Sequence, residues 1–150
     1  MADKPDLSKI FEKIKKEHPE VVITIDDSKP RFRVIVAGSR TFEDYAMLSE
    51  TMDTLLKEKR KTHDISIVCG KARGADTMGE RYAKERGYAV LEFPAKWAEH
   101  GKTAGPLRNE QMALNADALV AFWDGQSRGT ENMISLAKKH GLKTRVRIIK

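Results

Sequence analysis

From Arg31 onward, short β-branched apolar runs alternate with stretches in which apolar residues recur every three or four positions. The runs are Val34–Ala37, Ile65–Cys69, Ala89–Phe93, Ala118–Phe122 and Thr144–Ile149, each of strand length. Between them lie four helical patterns. The first carries Tyr45, Leu48, Met52, Leu55 and Leu56; the second carries Met78, Tyr82 and Ala83. The third carries Leu107, Met112 and Ala113; the fourth carries Met133, Ile134, Leu136 and Ala137. Nearly continuous apolar strands are buried on both faces, which predicts a parallel sheet. Strand–helix alternation with right-handed crossovers makes the fold α/β: a doubly wound, mainly parallel five-stranded sheet with helices on both faces.

Residues 1–31 read differently. Leu7, Ile10, Phe11 and Ile14 share one helical face, and His18-Pro19 ends that helix, because the residue before proline is pushed out of the α region. Val21–Ile25 reads as a short strand and Asp26–Pro30 as a loop. The expected organisation is an N-terminal helix-strand extension, 1–31, that packs on the main domain or on a second subunit, followed by one domain, 32–150. The 150 residues suit a single domain.

Charge sharpens this division. The formal charge is +6, yet residues 1–31 hold seven basic and seven acidic side chains, so the excess belongs to 32–150. A basic domain suits an anionic partner, either a phosphorylated small molecule or nucleic acid. The single cysteine, Cys69, sits in an apolar run and reads as a core residue, not a nucleophile. One cysteine gives no disulfide framework and fits a reducing compartment. The start has no apolar stretch of signal-peptide length, and no segment approaches the roughly 20 apolar residues of a membrane span. A cytoplasmic protein with no membrane partner is expected. His18, His63, His100 and His140 are scattered without ligand spacing, so neither a metal nor a cofactor is expected.

In open α/β sheets ligands bind at the carboxyl ends of the strands, so the loops there carry the candidate chemistry. After the first strand comes Gly38-Ser39-Arg40-Thr41, joining a close-approach glycine to a hydroxyl and a guanidinium fork. Thr41 with Asp44 has capping-box spacing, placing a helix start at Thr41. After the second comes Gly70-Lys71-Ala72-Arg73-Gly74-Ala75-Asp76. It is not a Walker loop or a G-x-G-x-x-G turn, but it reads as an anion cradle. Asp76 suits a ribose hydroxyl or a helix cap. After the third strand the longest loop of the domain carries Trp97, Lys102 and Gly105. Trp97 either stacks on a base or covers the sheet edge. Arg108 and Asn109 fall in the first turn of the next helix, where a cation opposes the macrodipole and a ligand phosphate resolves the conflict. After the fourth strand, Asp124, Gly125, Ser127, Gly129 and Thr130 precede or open a helix, a second anion site. Four glycine-bearing loops on one sheet edge are the strongest signal in the chain.

Together, Gly38-Ser39-Arg40-Thr41-Phe42, Gly70 with Ala72–Asp76, Pro94–Trp97, Gly105 with Arg108-Asn109 and Met112, and Trp123-Asp124-Gly125 with Ser127 and Gly129-Thr130 resemble the small SLOG-superfamily domains. The likeness is to the short YspA-related branch and covers about residues 32–150. The superfamily is similar in fold to the Lonely Guy phosphoribohydrolases and the Rossmann-like domain of DNA-processing protein A. The resemblance implies a Rossmann-like fold, a site for a nucleotide or nucleotide derivative, and a homodimer. The phosphoribohydrolases use an arginine, matched by Arg108, and a glutamate three residues after a Gly-Thr pair. Met133 stands at the glutamate's position, and Glu131 points elsewhere around the helix. N-glycosidic cleavage needs a carboxylate, so the leading expectation is binding, by sensing or sequestration, of a nucleotide-derived small molecule. The alternatives are a nucleotide-processing hydrolase using Arg108 with Asp76 or Asp124, and nucleic-acid binding through the basic surface.

Overall fold

The computed structural model describes residues 8–22 and 29–150. The five apolar runs form β1 (Arg31–Gly38), β2 (Asp64–Cys69), β3 (Ala89–Glu92), β4 (Ala118–Trp123) and β5 (Lys143–Ile148). They make one sheet in the order β3-β2-β1-β4-β5. Every pairing is parallel, with Ile35 of β1 beside Val68 of β2 and Leu119 of β4. Polar residues extend β1 and β2 beyond their apolar runs: Arg31, Arg33 and Asp64 continue the ladder at its solvated end.

The period of two along β1 sorts the core into two layers. Val34 and Val36 join Leu48, Met52 and Leu56 of α2 (Tyr45–Leu56) and Tyr82 and Ala83 of α4 (Ala75–Arg86). Ile35 and Ala37 join Met112 and Ala113 of α6 (Ala104–Leu114) and Met133, Ile134 and Ala137 of α7 (Arg128–Lys139). The chain winds from β1 outward to β3, then returns to β4 on the other side of β1. The β1/β4 boundary is thus the topological switch point, where doubly wound sheets open a crevice.

Several local expectations shift. The helix after β1 starts at Tyr45, with Asp44 as its cap accepting the Met47 N–H at 3.0 Å. Thr41 lies in a turn because Phe42 is buried and stacks on Phe122 at 5.0 Å, holding the loop down before the helix can begin. A short α3 (Lys59–Thr62), made wholly of polar residues, precedes β2. The segment after β3 is largely helical: α5 (Trp97–His100), a 3-10 turn at Gly101–Thr103, then α6. Pro106 sits inside the first turn of α6, where its missing N–H costs nothing.

In the N-terminal extension, α1 (Ser8–Glu17) forms as expected, but none of its residues is buried. Ile10 is exposed, and Phe11 and Ile14 are half-buried. Val21 and Val22 lie outside any strand, and the rest of that expected strand, like Leu7, is outside the described residues. Among the described residues no helix is long and apolar enough to cross a membrane.

Candidate functional site

The loops at the carboxyl edge are fastened to one another before they offer anything to a ligand. Ser39 is buried; its N–H donates to the Phe122 carbonyl at 3.1 Å and its Oγ accepts the Asp124 N–H at 3.2 Å. Ser39 thereby bridges the switch point between β1 and β4. Gly74 has φ 76° and sits against the Ser39 and Arg40 carbonyls, so a Cβ there would collide with backbone. A Cβ on Gly38 would likewise meet Ala75 and the Phe122 carbonyl. On the side a Cβ would take, Gly38 is met by protein, yet it also borders a small inner pocket.

The loop after β2 is also occupied from within. Asp76, near the start of α4, turns its carboxylate back to accept the Gly70 N–H at 3.2 Å and the Ala72 N–H. Two amides of the expected anion cradle, those of Gly70 and Ala72, are therefore taken by the protein's own carboxylate. Burial pushes the Asp76 acid up to about 6, against the opposing pull of the Arg108 charge and the two amides.

Arg108 lies in the second turn of α6, not the first, because the helix already begins at Ala104. The macrodipole conflict does not apply to it. Its Nη1 donates to the Gly70 carbonyl at 2.5 Å and its Nε to Asn109 Oδ1 at 2.9 Å. A Cβ on Gly70 would meet the Arg108 guanidinium, so a larger residue there would have to displace that side chain. Burial, and then the like charge of Arg40, work against the Arg108 cation, while Asp76 supports it. Asn109 is buried and extends the same network: its amide donates to the Gly129 carbonyl at 3.2 Å and to Asn132 Oδ1 at 2.9 Å. Arg108 and Asn109 thus join the loop after β2 to the first turn of α7.

Over this scaffold lies a cleft of about 640 Å³, lined by Arg40, Thr41, Gly70, Lys71, Ala72, Arg73, Pro94, Ala95, Trp97 and Arg108. That size suits a small-molecule ligand. Arg40 and Arg73 are exposed, and neither side chain has a hydrogen-bond or ion-pair partner among the described residues. Trp97 is 54% exposed, with its ring beside Gly105. Lys71 has φ 61°, the one positive value among the described non-glycine residues. Its ammonium is held by Glu80 at 3.1 Å and Glu92 at 3.3 Å, away from the arginines.

Arg40, Ala72 and Arg108 also border a smaller inner pocket of about 80 Å³. Ala37, Gly38, Asp76, Asn109, Met112, Ser127, Gly129, Thr130 and Met133 complete it. Ser127 Oγ and Thr130 Oγ1 are 3.2 Å apart, and the first-turn amides of α7 have no partner within their helix.

Some expected residues fall outside both cavities. Asp124 accepts the Gln126 and Ser127 N–H groups at 2.9 and 2.8 Å, and these bonds hold its carboxyl below the usual range. It shapes the turn before α7 and does not line the site. Gly125 and Lys102 do not line it either, while Ser39, Gly74, Ala75 and Gly105 support it from behind. Ala37, Lys71, Ala72, Pro94, Ala95, Met112 and Met133 line it in addition. The two glycines bracketing Lys71–Arg73 were a signal for the first pair; nothing in the sequence announces Asn132 as the partner of Asn109.

A second cleft, about 350 Å³, opens at the opposite edge of the sheet beside Arg31, Arg60, His63, Arg86 and Tyr88. There Arg31 already donates to Ser66 Oγ, and Arg86 is bidentate on Asp53. Of the arginines in the second cleft only Arg60 lacks a hydrogen-bond or ion-pair partner among the described residues, whereas the carboxyl-edge cleft holds two such arginines, Arg40 and Arg73, with Trp97 beside them.

Comparison with known proteins agrees with this architecture. The sequence model of the YspA, cpYpsA-related SLOG family matches residues 32–100. The gene 61 protein of Mycobacterium phage D29 is 35% identical over 116 residues, spanning 73% of this chain and 91% of that protein. Among solved structures, DNA processing protein A of Streptococcus pneumoniae superposes with a TM-score of 0.59 at 17% identity, over 79% of this chain and 50% of that one. The Helicobacter pylori protein of the same name, solved for its single-stranded DNA binding mode, gives 0.54 at 19% identity, over 83% and 67%. TM1055 gives 0.53 at 18% identity, over 77% and 72%. At these identities the likeness is one of fold, and the chain spans half the length of the S. pneumoniae protein.

Proposed function

The chain belongs to the YspA, cpYpsA-related SLOG family, and from that premise we propose that it binds a nucleotide or nucleotide-derived small molecule in the carboxyl-edge cleft. One observation carries the reading. The loops after β1 and β2, the segment after β3 and helix α6, distant from one another in sequence, bring Arg40, Arg73, Trp97 and Arg108 to a single cleft at the carboxyl edge. Arg40 and Arg73 are free to grip phosphate as bidentate forks. Trp97 offers a stacking face for a base. Arg108 acts mainly as a support, holding the Gly70 carbonyl and offsetting the Asp76 charge.

Binding is favoured over bond cleavage by the state of the carboxylates: Asp76 is buried and engaged by the Gly70 and Ala72 amides. Asp124 is committed to its own turn, and Met133 is a buried apolar side chain at the inner pocket. A panel of nucleoside mono- and diphosphates, ADP-ribose and cyclic nucleotides, read by thermal shift, tests the proposal. At least one should raise the melting temperature of wild type, and Arg40→Ala and Arg73→Ala should abolish that rise. No rise with any compound counts against the reading.

A second reading has its own support: an exposed aromatic in an open cationic cleft also suits single-stranded nucleic acid, and the H. pylori neighbour binds single-stranded DNA. Oligonucleotide binding that strengthens with length and falls steeply with salt, without saturable mononucleotide binding, would select it.

A further inference from the structure

The inner pocket behind Arg40 has a chemistry that the outer cleft lacks. Asp76 is 6% exposed and borders it directly. An ionised carboxylate is acceptor-only, with about four lone-pair positions. The Gly70 and Ala72 amides take up part of that capacity, and among the described residues no side chain donates a hydrogen bond to Asp76. Arg108 balances its charge without an ion pair inside contact distance. Across the pocket stand the Ser127 and Thr130 hydroxyls and the first-turn amides of α7.

One wall therefore asks for hydroxyl donors and the other supplies donors of its own. A phosphate in so small a space would have Arg40 and Arg108 beside it but would also sit against the buried Asp76 carboxylate, which like-charge repulsion opposes. A pair of neighbouring hydroxyls satisfies both walls, giving its protons to Asp76 and accepting from α7. The volume, about 80 Å³, holds several waters at roughly 10–15 Å³ each, enough for the edge of a pentose but not for an enclosed purine.

We propose that the inner pocket takes the vicinal diol of a ribose, with Asp76 as the acceptor that selects ribonucleotides over their deoxy counterparts, while the phosphate stays with Arg40 and Arg73. The assignment rests on the nucleotide reading above and makes Asp76 a specificity-determining residue.

Titration calorimetry at pH 7.5 with AMP, GMP, CMP and UMP, each beside its 2′-deoxy and 3′-deoxy form, tests it. A hydroxyl bonded to a charged acceptor predicts that a ribonucleotide binds tenfold or more tightly than at least one deoxy form. Asp76→Asn should remove that ratio by weakening the ribonucleotide while leaving the deoxy forms unchanged. If Asp76→Asn does not fold, the wild-type ratio at pH 5.0 and 7.5 replaces it. The other titratable groups acting with Asp76 on Arg108 are Arg40 and Cys69, and neither an arginine nor a buried thiol pushed up to about 11 titrates in that range. The ligand's own phosphate ionisation cancels in the ratio. The ribose preference should be larger at pH 7.5; a constant ratio would remove Asp76 from the recognition. Equal affinity of the ribo and both deoxy forms overturns the diol assignment and leaves nucleotide binding standing. A ribose preference untouched in folded Asp76→Asn also overturns it. No binding by any nucleotide overturns both readings.

Discussion

Asp76→Asn should stabilise the protein at neutral pH and lose that advantage in acid. The carboxyl is buried beneath the carboxyl-edge loops, and its pKa rises from the ordinary 3.8 to about 6, chiefly through desolvation. The folded state thus holds this proton more tightly than the unfolded chain does. Between pH 3.8 and 6 the native state binds more protons, so stability falls as pH rises through that window. Above it the full cost of the buried charge is present; below 3.8 it is absent. At 1.36 kcal/mol per pH unit the cost is about 3 kcal/mol. Asparagine removes the charge but presents one acceptor oxygen to amides that a carboxylate serves with two, a loss of about 1 kcal/mol. The variant should therefore be about 1–2 kcal/mol more stable at pH 7.5, and about 1 kcal/mol less stable near pH 4. Urea denaturation of both proteins from pH 4 to 8 measures this, and the difference between them cancels all groups they share. A difference that stays constant across that range would refute the argument.

Four other substitutions probe the scaffold and the cleft separately. Gly74→Ala should destabilise by at least about 2 kcal/mol, since φ 76° and the Ser39 and Arg40 carbonyls leave no room for a Cβ; Gly129→Ala, which meets open space, should stay within about 0.5 kcal/mol in the same urea titration. Tyr82→Phe should cost about 1–2 kcal/mol, because the fully buried ring carries a hydroxyl that donates to Asp53 at 2.6 Å; its melting temperature should drop by about 2–8 °C. Arg40→Ala should leave stability within about 0.5 kcal/mol, having no partner to lose, yet weaken nucleotide binding about tenfold or more by calorimetry.

The sheet and its two helical layers were legible because each β-branched run and each helical stripe is long enough to show its period. The same logic missed what polar residues build. Arg31, Arg33 and Asp64 extend strands that an apolar count stops short of, and Lys59–Thr62 forms a helix with no apolar period at all. Phe42 displaced the expected helix start because its burial is decided by Phe122, far away in sequence. The site was legible as a set of loops but not as a set of roles. Asp76, Arg108 and Asn109 each have a locally reasonable reading, yet their partners lie on other elements. Asp76 takes two amides of a loop that looked ready for phosphate, and Arg108 binds a carbonyl that no local pattern points to. Arg40 and Arg73, left without partners, are what remains for a ligand.

Amide and indole chemical shifts, followed by ¹H–¹⁵N NMR as a nucleotide from the thermal-shift panel is titrated in, test the central claim most directly. The account predicts saturable changes at Arg40–Thr41, Lys71–Arg73, the Trp97 indole N–H and Ser127–Thr130, with the opposite edge unmoved. Changes confined to the cleft of Arg60, His63 and Gly87 would contradict it, as would a spectrum that does not respond.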